Sequence, residues 1–566
     1  MRQWAPAHRP SEAGAPRCSS ACSSLLSTPH RGRSSGASRG SGRSSRGAAL
    51  RLSGSPVLRL SGPPVLRLSG PPALRLSGPP LLLYRLTDRV FRCCQVPENS
   101  YSMSQCHEQR SEEQGEVTEM VCQESDLKDG QMKEVTVWDQ KVLLVRTQGQ
   151  YSAIGSQCSH YNAPLIKGAL VGDRVRCPFH GACFNVHTGD IEEYPGLDCL
   201  PTYKVKTEDG KVYVSINKKS LKVTKRVKEM CSMVPGIKHT VLLIGGGPAA
   251  LVCAETLRQN CYEGRIIMVT KDTLPPFDKP KLSKAMNLDS SSVLLRSADF
   301  YKQHGIEVWT QKEVSSDKVV QLSDATSLHY DQLLISTGCR ARPLSCAGSD
   351  LKGVNLLQSY EDMLEEQNVK FYMNERVTEI RGENGRVKEV VLHSGRVLEA
   401  DVVIAGIGVI PNSDFLAGSG VEVDSRKAVI VDKFMRTNVP DVFSAGDVTS
   451  FPLTIRGDQR VNIGHWQLSQ AHGRVAALNM LKKSTKIESV PFFWTVLLGK
   501  SIRYTGHGEG YTEIIFKGKV DERKFLAFYI KDDKVLAAAS LMFDPAVARL
   551  AELMATGQVL TKAQAQ

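Results

Sequence analysis

Two short stretches decide how this 566-residue chain is interpreted: Cys158-Ser-His160-Tyr-Asn-Ala-Pro164 and Cys177-Pro-Phe-His180-Gly-Ala182. Each carries one cysteine and, two or three residues later, one histidine, so the side chains alternate Cys, His, Cys, His. Thiolate sulfur and neutral imidazole nitrogen are common protein ligands of zinc and of iron–sulfur clusters. The spacing therefore predicts a metal centre built from two loops.

Three kinds of site fit these four side chains. They can hold a tetrahedral zinc ion, or a two-iron cluster in which cysteines bind one iron and histidines the other. A disulfide with two surface histidines is the third. The alternating order, the loop positions and the strand-like flanks favour the two-iron cluster, because a zinc finger would need a helix beside its histidines. The flanks predicted as strands are residues 141–146, 170–171, 174–176 and 211–215.

These residues closely resemble a Rieske [2Fe–2S] domain. The resemblance implies that Cys158 and Cys177 ligate one iron and that His160 and His180 ligate the other. Histidine ligation of this kind raises the reduction potential of the cluster to roughly −150 to +300 mV. Cys183 stands outside the pattern and is predicted to be a packed thiol.

The net charge of +13 is concentrated at one end of the chain. Residues 1–102 contain fifteen Arg, no Lys and three acidic residues, a net of +12, which leaves +1 for residues 103–566. A charge confined to a tail does not form the basic groove that binds nucleic acid. We therefore predict no nucleic-acid partner.

Residues 1–102 are of low complexity, with an eight-residue unit that occurs four times from Leu50. Their Arg-rich, Ser-rich and acid-poor composition is typical of a mitochondrial presequence. We favour a disordered extension, with Met103 as the natural start of the folded protein. No run of eighteen apolar residues occurs, so no membrane span is predicted. Scattered cysteines without a secretory signal predict reduced thiols in a mitochondrial or cytoplasmic protein.

A dinucleotide-binding motif occupies residues 239–270, where an apolar strand, a Gly-rich turn, a helical pattern and a second strand follow one another. The turn reads Gly245-Gly-Gly247-Pro-Ala-Ala250. In such a unit the first glycine makes the tight turn, and the second lets the backbone approach a pyrophosphate at the helix N-terminus. The ribose-binding carboxylate usually ends the second strand, whereas here the candidate, Asp272, comes one place late.

The segment Leu274-Pro-Pro-Phe-Asp-Lys279-Pro-Lys-Leu-Ser-Lys284 resembles the one that covers the flavin in apoptosis-inducing-factor and ferredoxin-reductase-like flavoproteins. The resemblance implies that Lys279 and Lys284 lie near FAD, where a cation can stabilise the reduced, anionic ring; Lys284 is the catalytic candidate. Residues 438–447 resemble the return to the flavin domain, with Asp447 on the ribityl chain. No Cys-x-x-x-x-Cys pair follows the first Gly-rich turn, which disfavours a disulfide reductase.

Together these motifs resemble the Rieske-containing, apoptosis-inducing-factor-like branch of the pyridine nucleotide oxidoreductases, over about residues 120–566. The resemblance implies an all-β Rieske domain, an α/β Rossmann-type FAD domain of the glutathione-reductase kind with a truncated NAD-type insert, and a small α+β C-terminal domain. The predicted boundaries are an extension at 1–102, the Rieske domain at 120–216, a linker at 217–237, the FAD domain at 238–350 and 437–485, the insert at 351–436 and the C-terminal domain at 486–566.

The second Gly-rich unit, which binds NAD(P)H in this family, is missing from the sequence. No Gly-x-Gly-x-x-Gly occurs between Gly338 and Gly406. The nearest substitute, Gly406-Ile-Gly408-Val-Ile-Pro411, has Pro in the third position, and the helical pattern beyond it stops at Gly418. A pyrophosphate needs the N-terminus of a longer helix, so NAD(P)H binding is doubtful.

The sequence thus predicts an FAD-dependent oxidoreductase that passes electrons between FAD and a Rieske [2Fe–2S] centre, with an unknown redox partner. Two alternatives stay open at this point. One is a redox-linked apoptosis or signalling protein without turnover, and the other is an incomplete isoform of an NAD(P)H-dependent reductase.

Overall fold

A computed structural model describes part of the chain, namely residues 115–282, 289–317, 320–356, 372, 374–497 and 500–566. The predicted catalytic Lys284 lies outside these ranges. The helices within them are all too short or too polar to cross a bilayer.

Ten strands form the first domain, in which two antiparallel sheets pack together. The strands are β1 (Glu116–Gln123), β2 (Gln131–Val137), β3 (Gln140–Thr147), β4 (Gln150–Gly155), β5 (Ala169–Val171), β6 (Arg174–Arg176), β7 (Cys183–Asn185), β8 (Ile191–Glu193), β9 (Thr202–Glu208) and β10 (Lys211–Asn217). The larger sheet has the order β1-β10-β9-β4-β3-β2, and the smaller sheet has the order β5-β6-β7-β8. The Cys158 loop joins the two sheets, and the Cys177 loop joins β6 to β7 within the smaller one.

The dinucleotide-binding unit follows the predicted order of strand, turn, helix and strand. Its elements are β11 (Thr240–Ile244), α1 (Pro248–Gln259), β12 (Arg265–Val269), α2 (Lys279–Leu282), α3 (Ser290–Val293), α4 (Ala298–Gln303), β13 (Ile306–Trp309), β14 (Val314–Asp317), β15 (Val320–Leu322), β16 (Ser327–Leu328) and β17 (Gln332–Ile335). Strands β14 to β16 form a small antiparallel sheet of their own.

The insert contains short strands and, in its described residues, no α-helix. The strands from the exit of the FAD domain through the insert are β18 (Cys339–Ala341), β19 (Val354–Leu356), β20 (Val377–Glu383), β21 (Arg386–Leu392), β22 (Val397–Glu399), β23 (Val403–Ala405), β24 (Val409–Pro411) and β25 (Val429–Ile430). Strands β20 to β22 form an antiparallel meander, β19 pairs in parallel with β23, and β18 pairs with β24.

The chain then returns to complete the parallel sheet. The returning elements are β26 (Val442–Ser444), β27 (Thr449–Leu453), β28 (Gln459–Val461) and α5 (Trp466–Met480). The sheet has the order β13-β12-β11-β17-β26, and its neighbouring strands are parallel. Strands of a parallel sheet covered on both faces are continuously apolar, and Leu242 and Leu243 of β11 are fully buried. Helix α5 packs on α1 at Gly473, where a β-carbon would clash with the Ala249 carbonyl.

A five-stranded antiparallel sheet and two helices end the chain. They are β29 (Phe492–Leu497), β30 (Lys500–Gly506), β31 (Glu513–Lys519), β32 (Lys524–Lys531), β33 (Lys534–Leu541), α6 (Ala546–Ala555) and α7 (Lys562–Ala565). The strand order is β29-β30-β33-β32-β31. Helix α6 packs both on this sheet and on strand β5 of the first domain, so the two ends of the described chain are in contact.

Candidate redox site

The two Cys–His loops have the same backbone hydrogen bonds. The N–H of Cys158 donates to the Ala163 carbonyl at 2.8 Å, and the N–H of Cys177 donates to the Ala182 carbonyl at 2.8 Å. Both cysteines are free thiols, 1% and 0% exposed, and their side chains are within hydrogen-bonding distance of each other. That hydrogen bond raises the pKa of Cys158 and lowers the pKa of Cys177. The loops thus form a matched pair with their sulfur atoms together.

The two histidines of these loops also lie side by side. The ring centroids of His160 and His180 are 5.0 Å apart. Burial and the neighbouring His180 lower the pKa of His160 to about 3, which keeps its imidazole in the neutral form that a metal requires. Nδ1 of His160 is buried and has no hydrogen-bond partner in the protein. A nitrogen in this state fits a metal ligand.

The paired sulfur atoms and the adjacent imidazole rings fit the ligand set of a two-iron cluster. Structural zinc needs four ligands at one point, whereas a Rieske cluster takes two cysteines on one iron and two histidines on the other. Backbone N–H groups also point at each sulfur, those of His160 and Tyr161 at Cys158 and those of Phe179 and His180 at Cys177.

The Gly-rich turn after β11 has space for a pyrophosphate. Gly247 is the N-cap of α1, and no heavy atom lies within 4 Å of the position that its β-carbon would take. Gly245 has a φ of +116°, and its β-carbon would clash with the carbonyl of Ser336, so this position serves the turn itself. Ala250, in the first turn of α1, is fully buried against the sheet. An open cradle before a helix N-terminus fits the phosphates of FAD.

The two remaining candidates beside this turn lie close to each other. Asp272 follows β12, and its N–H donates to Thr270 Oγ1 at 3.2 Å. Nζ of Lys279 is 3.9 Å from Asp272 Oδ2. Thr270 lies against Gly246 of the turn. The structure therefore brings both predicted residues to the edge of the cradle.

Asp447 lies in the turn that follows β26, where its side chain is partly buried. Burial raises the pKa of this carboxyl group, which accepts hydrogen bonds from Ser469 Oγ at 3.0 Å and from the N–H of His465. Nδ1 of His465 is buried and unpartnered within the protein. Lys279 is near enough for its charge to act on Asp447. Lys279 therefore lies near both Asp272 and Asp447.

Trp494 of the C-terminal domain lies between the Cys–His loops and His465. Its ring centroid is 5.0 Å from that of His180 and 5.0 Å from that of His465, with edge-on geometry in both cases. The Tyr161 hydroxyl of the first loop also donates to Asp278 Oδ2 at 2.9 Å, beside Lys279. Sequence reasoning missed Trp494, because nothing local to residues 492–497 marks it as a partner of a loop more than 300 residues away.

Buried charges hold the Cys177 loop against the C-terminal domain. The guanidinium of Arg176 donates to Glu552 in α6 and, at 2.9 Å, to the carbonyl of Gly181. Arg503 of β30 donates to the carbonyl of Pro178 at 3.1 Å. Cys183 is fully buried, as expected of a packed thiol, and its side chain hydrogen-bonds Glu552. None of these partners could be recognised from sequence spacing.

Three known families match successive parts of the chain. The Rieske [2Fe-2S] domain family matches residues 117–204, the pyridine nucleotide-disulphide oxidoreductase family matches residues 239–363 and 355–473, and the reductase C-terminal family matches residues 492–566. The two oxidoreductase matches overlap at residues 355–363, within the stretch between Gly338 and Gly406 that has no second Gly-rich motif. These matches indicate a [2Fe–2S] cluster and FAD, and they confirm the predicted cofactors.

Individual proteins show the same relationship. The chain is 40% identical over 515 residues to "Apoptosis-inducing factor 3" of Homo sapiens, covering 79% of this chain and 85% of that protein. It is 27% identical over 369 residues to the "Benzene 1,2-dioxygenase system ferredoxin--NAD(+) reductase subunit" of Pseudomonas putida, covering 53% of this chain and 88% of that protein. The structure resembles that of the covalent putidaredoxin reductase–putidaredoxin complex, with a TM-score of 0.53 and 24% identity over 57% of this chain and 94% of that chain. The predicted fold class is thus confirmed.

Proposed function

Because the chain belongs to the Rieske-containing, apoptosis-inducing-factor-like branch of the pyridine nucleotide-disulphide oxidoreductases, we propose that it passes electrons between FAD and a Rieske [2Fe–2S] centre. Trp494 carries this proposal, since its ring contacts both His180 of a Cys–His loop and His465, whose N–H donates to the Asp447 carboxyl group. One aromatic side chain therefore separates the two candidate cofactor sites.

The candidate ligands of the cluster are Cys158 and Cys177 on one iron, and His160 and His180 on the other. The unpartnered, buried Nδ1 of His160 supports this assignment. Iron and labile sulfide analysis of the purified protein tests it, and zinc without iron would contradict it. His160→Cys and His180→Cys should each lower the reduction potential, because thiolate ligation adds negative charge at that iron.

FAD is expected to lie across Gly245, Gly247 and Ala250, with Asp447 on its ribityl side and Lys279 near the ring. FAD supplies two-electron chemistry, and the cluster exchanges electrons one at a time. Gly247 leaves room for the phosphates, and the Asp447 carboxylate can accept hydrogen bonds from a diol. Lys284 stays a catalytic candidate and Asp272 a ribose-binding candidate. Lys284→Met would test whether a cation at that position stabilises the reduced flavin.

Buried polar contacts fix the Rieske domain in place, so electron transfer needs no domain movement. Arg296 of the FAD domain forms ion pairs at 2.8 Å with Asp198 of the Rieske domain and with Glu255 of α1. Gln470 of α5 donates to the carbonyl of Gly196 at 2.8 Å. Removing one partner of such buried pairs is costly, which favours a single docked geometry.

The test is the rate at which the cluster is reduced after a light flash that reduces the flavin under anaerobic conditions. The rate should not depend on protein concentration, since the step is intramolecular, and Trp494→Leu should slow it. Trp138→Leu is the matched control, because Trp138 lies exposed in the Rieske domain. A rate that rises with protein concentration, or that Trp494→Leu leaves unchanged, would contradict the proposal.

The entry and exit of electrons involve a further partner. The reductases among the relatives are named for ferredoxin and NAD(+), and a small redox protein is the corresponding candidate here. A role in apoptosis, named in the human relative, is the second candidate function. Turnover with an artificial electron acceptor distinguishes them, since a protein that acts only through partner contacts would show none. A mitochondrial or cytoplasmic location stays a prediction, which cell fractionation would test.

A further inference from the structure

We propose that Arg503 of the C-terminal domain raises the reduction potential of the Rieske centre by holding a buried positive charge against the Cys177 loop. This inference rests on the proposed cluster ligands, but not on electron transfer from the flavin. It makes the C-terminal domain a determinant of the redox properties of a domain more than 300 residues earlier in the chain.

The guanidinium of Arg503 is fixed in one orientation. Its side chain is 5% exposed, and Nε donates to the carbonyl of Pro178 at 3.1 Å. Nη1 donates to the carbonyls of Ile502 at 2.9 Å and Thr495 at 3.2 Å. Pro178 directly follows Cys177, a proposed cluster ligand, so the charge lies beside the cluster site. A planar guanidinium held by several hydrogen bonds cannot turn away from it.

The charge of Arg503 is only partly compensated. Among the described residues, the one carboxylate within 4.0 Å of it belongs to Asp544, with Oδ1 at 3.9 Å from Nε. Arg176, the other buried guanidinium at this loop, is paired with the fully buried carboxylate of Glu552. Arg503 therefore supplies net positive charge to the loop, whereas the Arg176–Glu552 pair is close to neutral.

The direction of the effect follows from the charge of the cluster. Reduction adds one electron, and a nearby cation stabilises the more negative form. Buried charges are screened much less than surface charges, and cluster potentials depend on net charge and hydrogen bonds. Arg503 should therefore raise the potential and make the centre a better acceptor of electrons.

The experiment is a redox titration of the holoprotein with external mediators, followed by the electron paramagnetic resonance signal of the reduced cluster. Arg503→Gln should lower the equilibrium constant for cluster reduction by about tenfold, which for one electron is about 59 mV. Arg503→Lys should restore most of the potential, because it keeps the charge. Asp544→Asn should raise the potential, since it removes the partial compensation.

Lys562→Gln is the control for a general loss of positive charge, because Lys562 pairs with Glu513 at the far edge of the same domain. An unchanged potential in Arg503→Gln, with iron content retained, would overturn the proposal. If Arg503→Gln does not fold, Asp544→Asn tests the proposal instead. A lowered or unchanged reduction potential in Asp544→Asn would also overturn it. Mediators reduce the cluster directly, so this result is independent of whether Trp494→Leu slows transfer from the flavin.

Discussion

Two regions of this molecule are built from similar parallel strand pairs, yet only one has the features of a nucleotide site. In the FAD domain, Leu243 of β11 is 0% exposed beneath α1, and Gly247 opens the helix. In the insert, Ile404 of β23 is 43% exposed, and the described residues there contain no α-helix. The two regions therefore differ chiefly in helix α1. This helix covers strand β11 and presents its N-terminal N–H groups to phosphate, and the described part of the insert has no such helix over β23.

The two regions also differ in the electron-transfer step that each would serve, which is FAD to the cluster for the first and NAD(P)H to FAD for the insert. Trp494 contacts His180 of one Cys–His loop and also His465, whose N–H donates to Asp447, so the proposed route between the two candidate cofactor sites passes through packed side chains. The sequence of the insert contains no second Gly-rich turn, so we expect no nicotinamide site there. Its sheets instead leave apolar side chains at the surface, namely Val402, Ile404, Ile407 and Val409.

The largest expected effect concerns reduction by NADH. Holding a nicotinamide in the correct position against the flavin can lower the activation barrier by roughly 7–11 kcal/mol. The sequence lacks the second Gly-rich turn that would hold the nicotinamide there. We expect no saturable flavin reduction within seconds of anaerobic mixing with NADH or NADPH in a stopped-flow instrument, whereas dithionite reduces the flavin fully. Rapid, saturable reduction would show that the insert still holds a nicotinamide.

A second prediction compares glycines in the two regions. Both Gly247 and Gly406 have open space where a β-carbon would lie. Gly247→Val should give a folded protein that loses FAD on purification, because the side chain enters the phosphate cradle. Gly406→Val should retain FAD. Flavin-to-protein absorbance ratios measure both, and full FAD content in Gly247→Val would place the cofactor elsewhere.

A third prediction compares the stability of the two sheets. Leu243→Ala removes a fully buried side chain and should cost about 2–5 kcal/mol. Ile404→Ala, at an exposed position, should change the free energy of unfolding by less than about 0.5 kcal/mol. Urea denaturation followed by circular dichroism compares them. A large cost at Ile404 would mean that another surface covers this sheet.

The smallest effect concerns acid stability. Burial acts to raise the pKa of Glu552, but the charges of Arg176 and Arg174 outweigh it and lower the pKa below the ordinary 4.5. A lowered carboxyl pKa stabilises the folded state above pH 4.5 and loses that contribution as the pH falls through the folded pKa. Glu552→Gln should flatten this part of the stability profile, measured by thermal melts at graded pH.

The matched control is Glu383→Gln in the insert. Glu383 is fully exposed and pairs with Lys388 on the surface. Exposed ion pairs contribute little to stability, so the acid profile of this variant should follow that of the unchanged protein. A flatter acid profile in Glu383→Gln than in Glu552→Gln would contradict the greater weight given to the buried pair.

The sequence by itself determined the two cofactors. The Cys–His loops and the Gly245 turn are local patterns, in which ligand spacing and backbone freedom are set within a few residues. The absence of a second Gly-rich motif could be recognised from the sequence because that motif is also a local pattern. Asp447 and Lys279 followed only from family resemblance, because a single carboxylate or lysine has no local pattern to mark it.

Tertiary structure alone decided how the two candidate cofactor sites lie relative to each other. Arg176 and Glu552 are 376 positions apart, and Pro178 and Arg503 are 325 positions apart. Trp494 is likewise more than 300 positions from His180, which its ring contacts. Such contacts form when separately folded sheets pack together, and packing depends on the shape and charge of whole surfaces. No spacing rule along the chain encodes that complementarity. The position of Trp494 between the two candidate sites and the buried charge of Arg503 beside the cluster site could therefore be found only in the folded molecule.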